Sequence, residues 1–413
     1  MIRRALLFLT FPTLLPAATP QEEITAQVPA ARAVLDKWQA ENPVRAERKL
    51  HIVYWTPSDR EPSPRYRERL SAIMRDIRTF YGSEMERLGF GNRTFTLDDA
   101  ADGLLNIHLV TGAQPYAHYE VRSGSEIRKE CLPVLKKDGL EAGKETIVLF
   151  CNMSNWDPEK RTISQNSPYY ASGTNRSGTA WQVDSPILEL DSLDKKEPRV
   201  LDKQYGNISI GRYNSIFIGG ITHELGHAFG YPHNKERADE GAAFGTALMG
   251  SGNRTYGENL RGEGKGSFLN LTHALQLASH PLFCGSIKGW EDKPSAKPSG
   301  LSVKAEGKTI VLSGKVTAEV PVYAVQAYFD PEGGSDYDAT TASAVPDRDG
   351  NFTLTGTDLV AGKAGELRLF FLQADGMASG FVGGTPHQYP YTVAADGTPE
   401  VRETAEKLKA EEK

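Results

Sequence analysis

Residues 223–233 read His-Glu-Leu-Gly-His-Ala-Phe-Gly-Tyr-Pro-His, an HExxHxxGxxH pattern around which the rest of the chain can be organised. On a helix His223 and His227 stand one turn apart on the same face. So placed, their imidazoles can bind one Zn²⁺, and Glu224 sits beside them as a candidate general base. A straight helix would carry His233 away from that metal. Gly230 tolerates φ > 0, so the helix can stop there and the chain can turn back. Pro232 opposes continuation of the helix, and His233 can return as a third ligand. Three nitrogens leave one tetrahedral position open for water, which is the arrangement of a catalytic zinc site. The bland alternative is a buried helix with satisfied core histidines. Against it stand the spacing of all five fixed positions and the sequence downstream.

That downstream sequence is Gly245-Thr246-Ala247-Leu248-Met249-Gly250. A lone Met is usually a core filler. A short loop after the third histidine, Met249 instead matches the Met-turn, whose side chain forms an apolar floor beneath the metal. Together these residues resemble the metzincin group of zinc peptidases.

The 413-residue chain has room for two or three domains, and its 39% hydrophobic and 24% charged content is that of a globular protein. A net charge of −6 gives no reason to expect nucleic acid or an anionic membrane as partner. Residues 1–18 read as a secretory signal peptide. Arg3 and Arg4 precede an apolar run from Ala5 to Leu15, and the small residues Ala17 and Ala18 follow. The run is short for a membrane span, and no second apolar segment is long enough. The expected product is exported and soluble. Cys131, Cys151 and Cys284 are too few for a dense disulfide framework. One pair, with Cys131–Cys151 the simplest, and three buried thiols both remain open.

Residues 19–45 are polar, with a short helix over 30–40, and read as a leader or packed arm. The catalytic domain is expected over 46–287. It opens on a β-rich strand at 50–55. A helix follows over 64–88, with Tyr66, Leu70, Ile73, Ile77, Phe80 and Met85 on its core face. Arg65, Arg67, Arg69 and Arg75 read as its solvated face. Strands at 94–97, 104–110 and 146–151 and a helix at 123–137 suit a mixed α/β layer. Residues 152–213 hold few regular signals and read as a long functional loop region. The motif helix spans 213–230, with Gly219 and Gly220 allowing close packing. A helix at 271–279 closes this half. Residues 288–300 read as a linker. Over 301–395 short β-rich runs alternate with turn signals such as Pro331-Glu332-Gly333-Gly334, which predicts a β-sandwich. Residues 396–413 form a charged tail. The fold class is thus a metzincin-type α/β (α+β) peptidase domain followed by a small all-β sandwich.

Four stretches carry a closer resemblance: LHIVYWTPSDREP (50–62), FYGSEMERLGFGNRTF (80–95), THELGHAFGYPHN (222–234) and FGTALMGSGNRTYG (244–257). They resemble the O-glycopeptidases of mucin-degrading gut bacteria from about residue 48 to 265, with a weaker match beyond. The resemblance implies cleavage N-terminal to a Ser or Thr bearing an O-glycan. It implies His223, His227 and His233 as ligands of one zinc, Glu224 as base and Met249 as the Met-turn. No Tyr stands two residues after Met249, so the tyrosine switch of astacin-like enzymes is expected to be absent. Tyr256 lies too far along the loop to replace it.

A glycan-reading peptidase also needs aromatic faces and polar groups near the cut. Tyr119, Trp156, Tyr169 and Tyr170 are the candidates, each weighed against an ordinary role in the core. The other histidines, at 51, 108, 118, 273, 280 and 387, read as structural or exposed. Two competing functions stand beside the O-glycoprotein endopeptidase. One is a general secreted metzincin without a glycan requirement. The other is a glycan-binding protein with a dead peptidase domain, against which the intact Glu224 argues.

Overall fold

A computed structural model describes residues 18–42, 48–284, 293–380 and 387–411. The expected signal peptide therefore lies outside the described residues except for Ala18, as do positions 288–292 of the expected linker. Among the described residues no helix is long and apolar enough to cross a membrane.

The first helix, α1 (Pro20–Glu41), is twice the length expected and is an integral part of the fold. Thr19 caps it, with Glu22 reaching back in a capping box and Pro20 in its first turn. Ile24, Val28, Ala31 and Leu35 are buried against the N-terminal α/β half. Strand β1 (Lys49–Thr56) and helix α2 (Tyr66–Arg87) follow, with the predicted apolar stripe of α2 facing inward. Next come β2 (Thr96–Leu97), β3 (Ile107–Thr111), α3 (Gly124–Lys137) and β4 (Thr146–Cys151). The region expected to be irregular instead holds six short strands. They are β5 (Ser154–Asp157), β6 (Thr162–Gln165), β7 (Tyr170–Gly173), β8 (Gly178–Val183), β9 (Arg199–Asp202) and β10 (Gly206–Ser209). All but β8 are four residues long, too short for an alternating pattern to stand out.

The main sheet runs β2-β1-β4-β8-β7, with β3 also paired to β1. It is parallel except for β7, which joins β8 antiparallel at one edge. Both faces are covered, as a parallel sheet requires. Ile52, Tyr54, Val148 and Phe150 point to α1, α2 and the motif helix, while Val53, Trp55, Ile147 and Leu149 point to α3. Strands β10-β9-β6-β5 form a second sheet.

The motif helix α4 (Ile210–Ala228) is nearly all buried. Beyond it come α5 (Ala238–Phe244), β11 (Thr246–Ala247), α6 (Glu258–Arg261), β12 (Ser267–Phe268), α7 (Leu271–Ala278) and α8 (Pro281–Cys284). The β-module follows with β13 (Lys297–Glu306), which begins inside the stretch read as linker. It continues with β14 (Thr309–Thr317), β15 (Val322–Pro331), β16 (Thr340–Ala344), β17 (Asn351–Gly356), β18 (Ala364–Gln373), β19 (Ala378–Ser379), β20 (Gln388–Val393) and β21 (Pro399–Glu400). Sheets β13-β14-β17 and β16-β15-β18-β20-β21 enclose one core, where Leu312 and Phe352 meet Phe329 and Phe371. This is the predicted sandwich. The charged tail forms α9 (Arg402–Glu411).

The outer face of the β15–β18 sheet docks on α7 and the start of that helix in the α/β half. Tyr323 Oη donates to the Leu275 carbonyl, Gln326 to the Thr272 carbonyl, and Asn270 to Thr341 Oγ1. Tyr323, Ala324 and Leu372 lie in the same apolar cluster as α7.

One expectation is corrected and one open alternative is resolved. Arg69 does not lie on a solvated face. It is 4% exposed and donates to both Asp184 oxygens at 2.9 Å and to the carbonyls of Ser185 and Leu188. A buried guanidinium is stable only when its donors are matched, and here a carboxylate and carbonyls match them. Arg67 and Arg75 do pair near the surface, with Asp102 and Asp99. Of the two cysteine alternatives the structure holds the thiols. Cys131 and Cys151 are free and buried, and burial pushes the Cys131 thiol up to about 12.

Candidate metal centre

Ser209 opens α4 by accepting from the Arg212 N–H. The helix then runs through the motif to Ala228, and Gly230 turns the chain at φ +92°. The Tyr231 N–H reaches back to the Gly226 carbonyl across this turn. His233 thereby returns to His223 and His227, and one ligand atom from each lies within 4.8 Å of the others. Among the described residues this is the group of three or more His, Cys, Asp or Glu side chains able to hold a metal ion.

Each imidazole is oriented through its Nδ1. His223 Nδ1 is 2.7 Å from the Leu248 carbonyl, and His227 Nδ1 is 2.7 Å from the Tyr231 carbonyl. His233 Nδ1 is 2.7 Å from Asp336 Oδ1. Since carbonyls only accept, His223 and His227 must carry their protons on Nδ1, which frees Nε2 as a ligand. His223 Nε2 is buried without a hydrogen-bond partner. His227 and His233 point Nε2 at each other across 2.9 Å. Lone pairs this close repel unless a cation or a proton lies between them. An orphaned nitrogen and two facing nitrogens therefore fit a metal ion. Burial pushes His223 well below the usual imidazole range. It takes His227 down to about 4, with His233 adding to the effect. Neutral imidazoles are the form a metal binds.

Glu224 is 8% exposed, and burial pushes its carboxyl up to about 8. It is not a member of the ligand group. Met249 is fully buried, its sulfur against Gly226 of the motif helix. The strand pair β11–β12 carries this turn, and the Leu248 N–H donates to the Phe268 carbonyl. Gly219 and Gly220 serve close approach as expected. A Cβ on Gly220 would lie 1.4 Å from Tyr169 Oη, and one on Gly219 would lie 2.2 Å from the Asn253 carbonyl oxygen.

The four aromatic candidates are not brought together. Tyr119 is 1% exposed, packs edge-on to Trp55 and donates to Glu130. It lies in the buried layer on the α3 side of the sheet. Tyr170 packs on Trp181 of the same layer, its hydroxyl accepting from the Gly124 N–H. Tyr169 lies over α4 and donates to the Ile216 carbonyl, about two turns before Glu224. Trp156 lines open clefts of about 660 and 290 Å³, beside Arg60 and Asn152 in one and Arg161 and Ile187 in the other. Tyr256 is buried and donates to Asp76, 2.5 Å away.

Two site residues lie where the sequence carried no signal. Asp336 and Tyr337 follow the turn Gly333-Gly334 in the β-module. Tyr337 stacks on His233 with ring centroids 3.6 Å apart and lies parallel to His223 at 6.3 Å.

The sequence matches no family model and no curated protein. Among solved structures, wild-type OgpA from Akkermansia muciniphila superposes with a TM-score of 0.69 at 27% identity, over 86% of this chain and 96% of that one. Catalytically inactive OgpA in complex with an O-glycopeptide (glycodrosocin) substrate matches at 0.69 and 26% identity, over 86% and 95%. The likeness thus spans the catalytic half and the β-module together. The chain is thus a structural homologue of OgpA, and its three-histidine cluster on the shared fold is consistent with a metzincin-like zinc peptidase.

Proposed function

We propose that this chain is an exported endopeptidase that cuts O-glycosylated proteins immediately before the glycosylated Ser or Thr. The observation that carries this reading is the likeness to OgpA, whose inactive form was solved with an O-glycopeptide substrate. We further assign one zinc ion per chain to His223, His227 and His233, since nitrogen donors with one position left open suit that metal. When bound, zinc polarises the scissile carbonyl and acidifies the attacking water. Glu224 takes a proton from that water and returns it to the leaving amine. His223, His227 and His233 are oriented through Nδ1 by the Leu248 carbonyl, the Tyr231 carbonyl and the Asp336 carboxylate. No side chain attacks the peptide, so no acyl-enzyme forms.

Edge strand β7 lies along α4, and an extended peptide pairs readily with such an edge. Trp156 is the sugar-facing candidate we retain. Residues 1–18 act as the export signal, and 46–287 and 301–395 work as one unit. A matched pair of peptides, one O-glycosylated and one bare, tests the reading by mass spectrometry. The glycopeptide is expected to be cut before its modified residue. A site built to hydrogen-bond sugar hydroxyls rejects the bare twin by up to about 10⁴–10⁵-fold. Equal cleavage of the two would favour a general endopeptidase.

A further inference from the structure

The β-module reaches the metal centre through the loop joining β15 to β16. Asp336 Oδ1 lies 2.7 Å from His233 Nδ1. The carboxylate is held from behind. Arg368 Nη1 on β18 is 3.8 Å from the other Asp336 oxygen, and Arg368 also pairs with Asp330 at the end of β15. The loop takes an unusual path to bring the carboxylate there. Gly333, Gly334, Ser335 and Asp336 have φ of +87°, +80°, +52° and +59°. Two glycines adopt this region freely, and Asp tolerates it better than most residues. The chain after the third ligand docks on the same loop. The Lys235 N–H donates to the Ala339 carbonyl at 2.6 Å, and Lys235 Nζ is 3.9 Å from Asp338. Tyr337 covers the outer face of the His233 ring.

The three histidines are therefore not held alike. His223 and His227 lie on a buried helix and donate to backbone carbonyls of the catalytic half. His233 lies beyond the helix, on a turn, and its ring is oriented by a side chain of the other module. A carboxylate behind an imidazole fixes its tautomer and raises its basicity as a ligand. We propose that Asp336 is a positioning residue for His233, and that the β-module thereby completes the metal centre.

This inference rests on the histidine cluster being the zinc site, and the test separates the two. Zinc affinity of the full-length protein is measured by competition with a chromophoric chelator, beside the melting temperature of the metal-free protein. The unaltered protein is expected to bind zinc, and failure to do so would overturn the histidine reading itself. Asp336→Ala is expected to bind zinc about 10–100-fold more weakly, at a metal-free melting temperature close to the unaltered value. Asp336→Asn keeps an acceptor oxygen and the shape of the loop, so a smaller loss is expected. It also carries the test if the alanine variant does not fold. Asp338→Ala removes a neighbouring carboxylate of the same loop and is expected to leave zinc affinity unchanged. The proposal falls if the Asp336 variants bind zinc as tightly as the unaltered protein. It falls equally if Asp338→Ala weakens zinc as much as Asp336→Ala, since docking of the loop would then be the cause.

Discussion

A Cβ on Gly226 would lie 2.3 Å from Met249 Sδ. The contact joins the motif helix to the turn below it, and it explains why a glycine stands between the first two histidines. Gly226→Ala forces the methionine side chain to shift. Overpacking of this kind costs about 1–3 kcal/mol, offset by at most about 1 kcal/mol of helix propensity. The expected result is a modest loss of stability and a weaker metal site. A double-mutant cycle with Met249→Ala checks it in denaturant, where the pair should be clearly non-additive. Additive effects would mean that the two residues do not press on each other.

Glu224→Gln separates the base from the ligands. Glu224 adjoins His223 in sequence but is outside the three-histidine group. The variant should keep its metal and its fold and lose turnover by about 10²–10⁴-fold. Metal content by atomic emission, together with a peptide-cleavage assay, decides it. Near-normal turnover in the metal-loaded variant would remove Glu224 from the mechanism.

The pair Arg69–Asp184 is expected to matter out of proportion to its size. Both side chains are almost fully buried, at 2% and 0% exposure. Tyr54 adds a hydrogen bond to Asp184 at 2.9 Å. Removing one partner leaves an uncompensated buried charge, at a cost of about 3–5 kcal/mol. Arg69→Met alone should therefore destabilise more than Arg69→Met with Asp184→Leu. Urea midpoints of the two variants check the order, and the reverse order would show that the pair's partners, not its charges, dominate.

His280 should contribute to loss of stability in acid. It is 1% exposed and packs against Phe229 and Phe283, and burial takes its imidazole down to about 3. An ordinary imidazole titrates near 6.5 in the unfolded chain. Between these values the unfolded state binds a proton that the folded state refuses, so stability falls as pH falls. At pH 5 this amounts to at most about 2 kcal/mol relative to pH 7. His280→Gln should lose less stability between pH 7 and pH 5 than the unaltered protein. Equal losses, read from urea midpoints, would place the acid sensitivity elsewhere.

Much of this protein is local and can be read along the chain. The relation of His223 to His227 needs only the period of a helix, and the return of His233 needs only a glycine at the helix end. The stripe on α2, strand β4 and the main runs of the sandwich are legible because their periodicity is long enough to register. The missed full length of α1 was signalled too, by Thr19-Pro20-Gln21-Glu22. What tertiary structure alone decided are matters of partnership. Arg69 is buried because Asp184, 115 residues away, meets it, and no spacing on α2 reveals that. Tyr119 packs on Trp55 because the sheet places both on the α3 side. Asp336 stands behind His233 from 103 residues further on, in what reads only as a turn. Local geometry is set by neighbours in sequence, whereas a buried charge or an oriented ligand is set by whichever distant group the fold brings within hydrogen-bond reach.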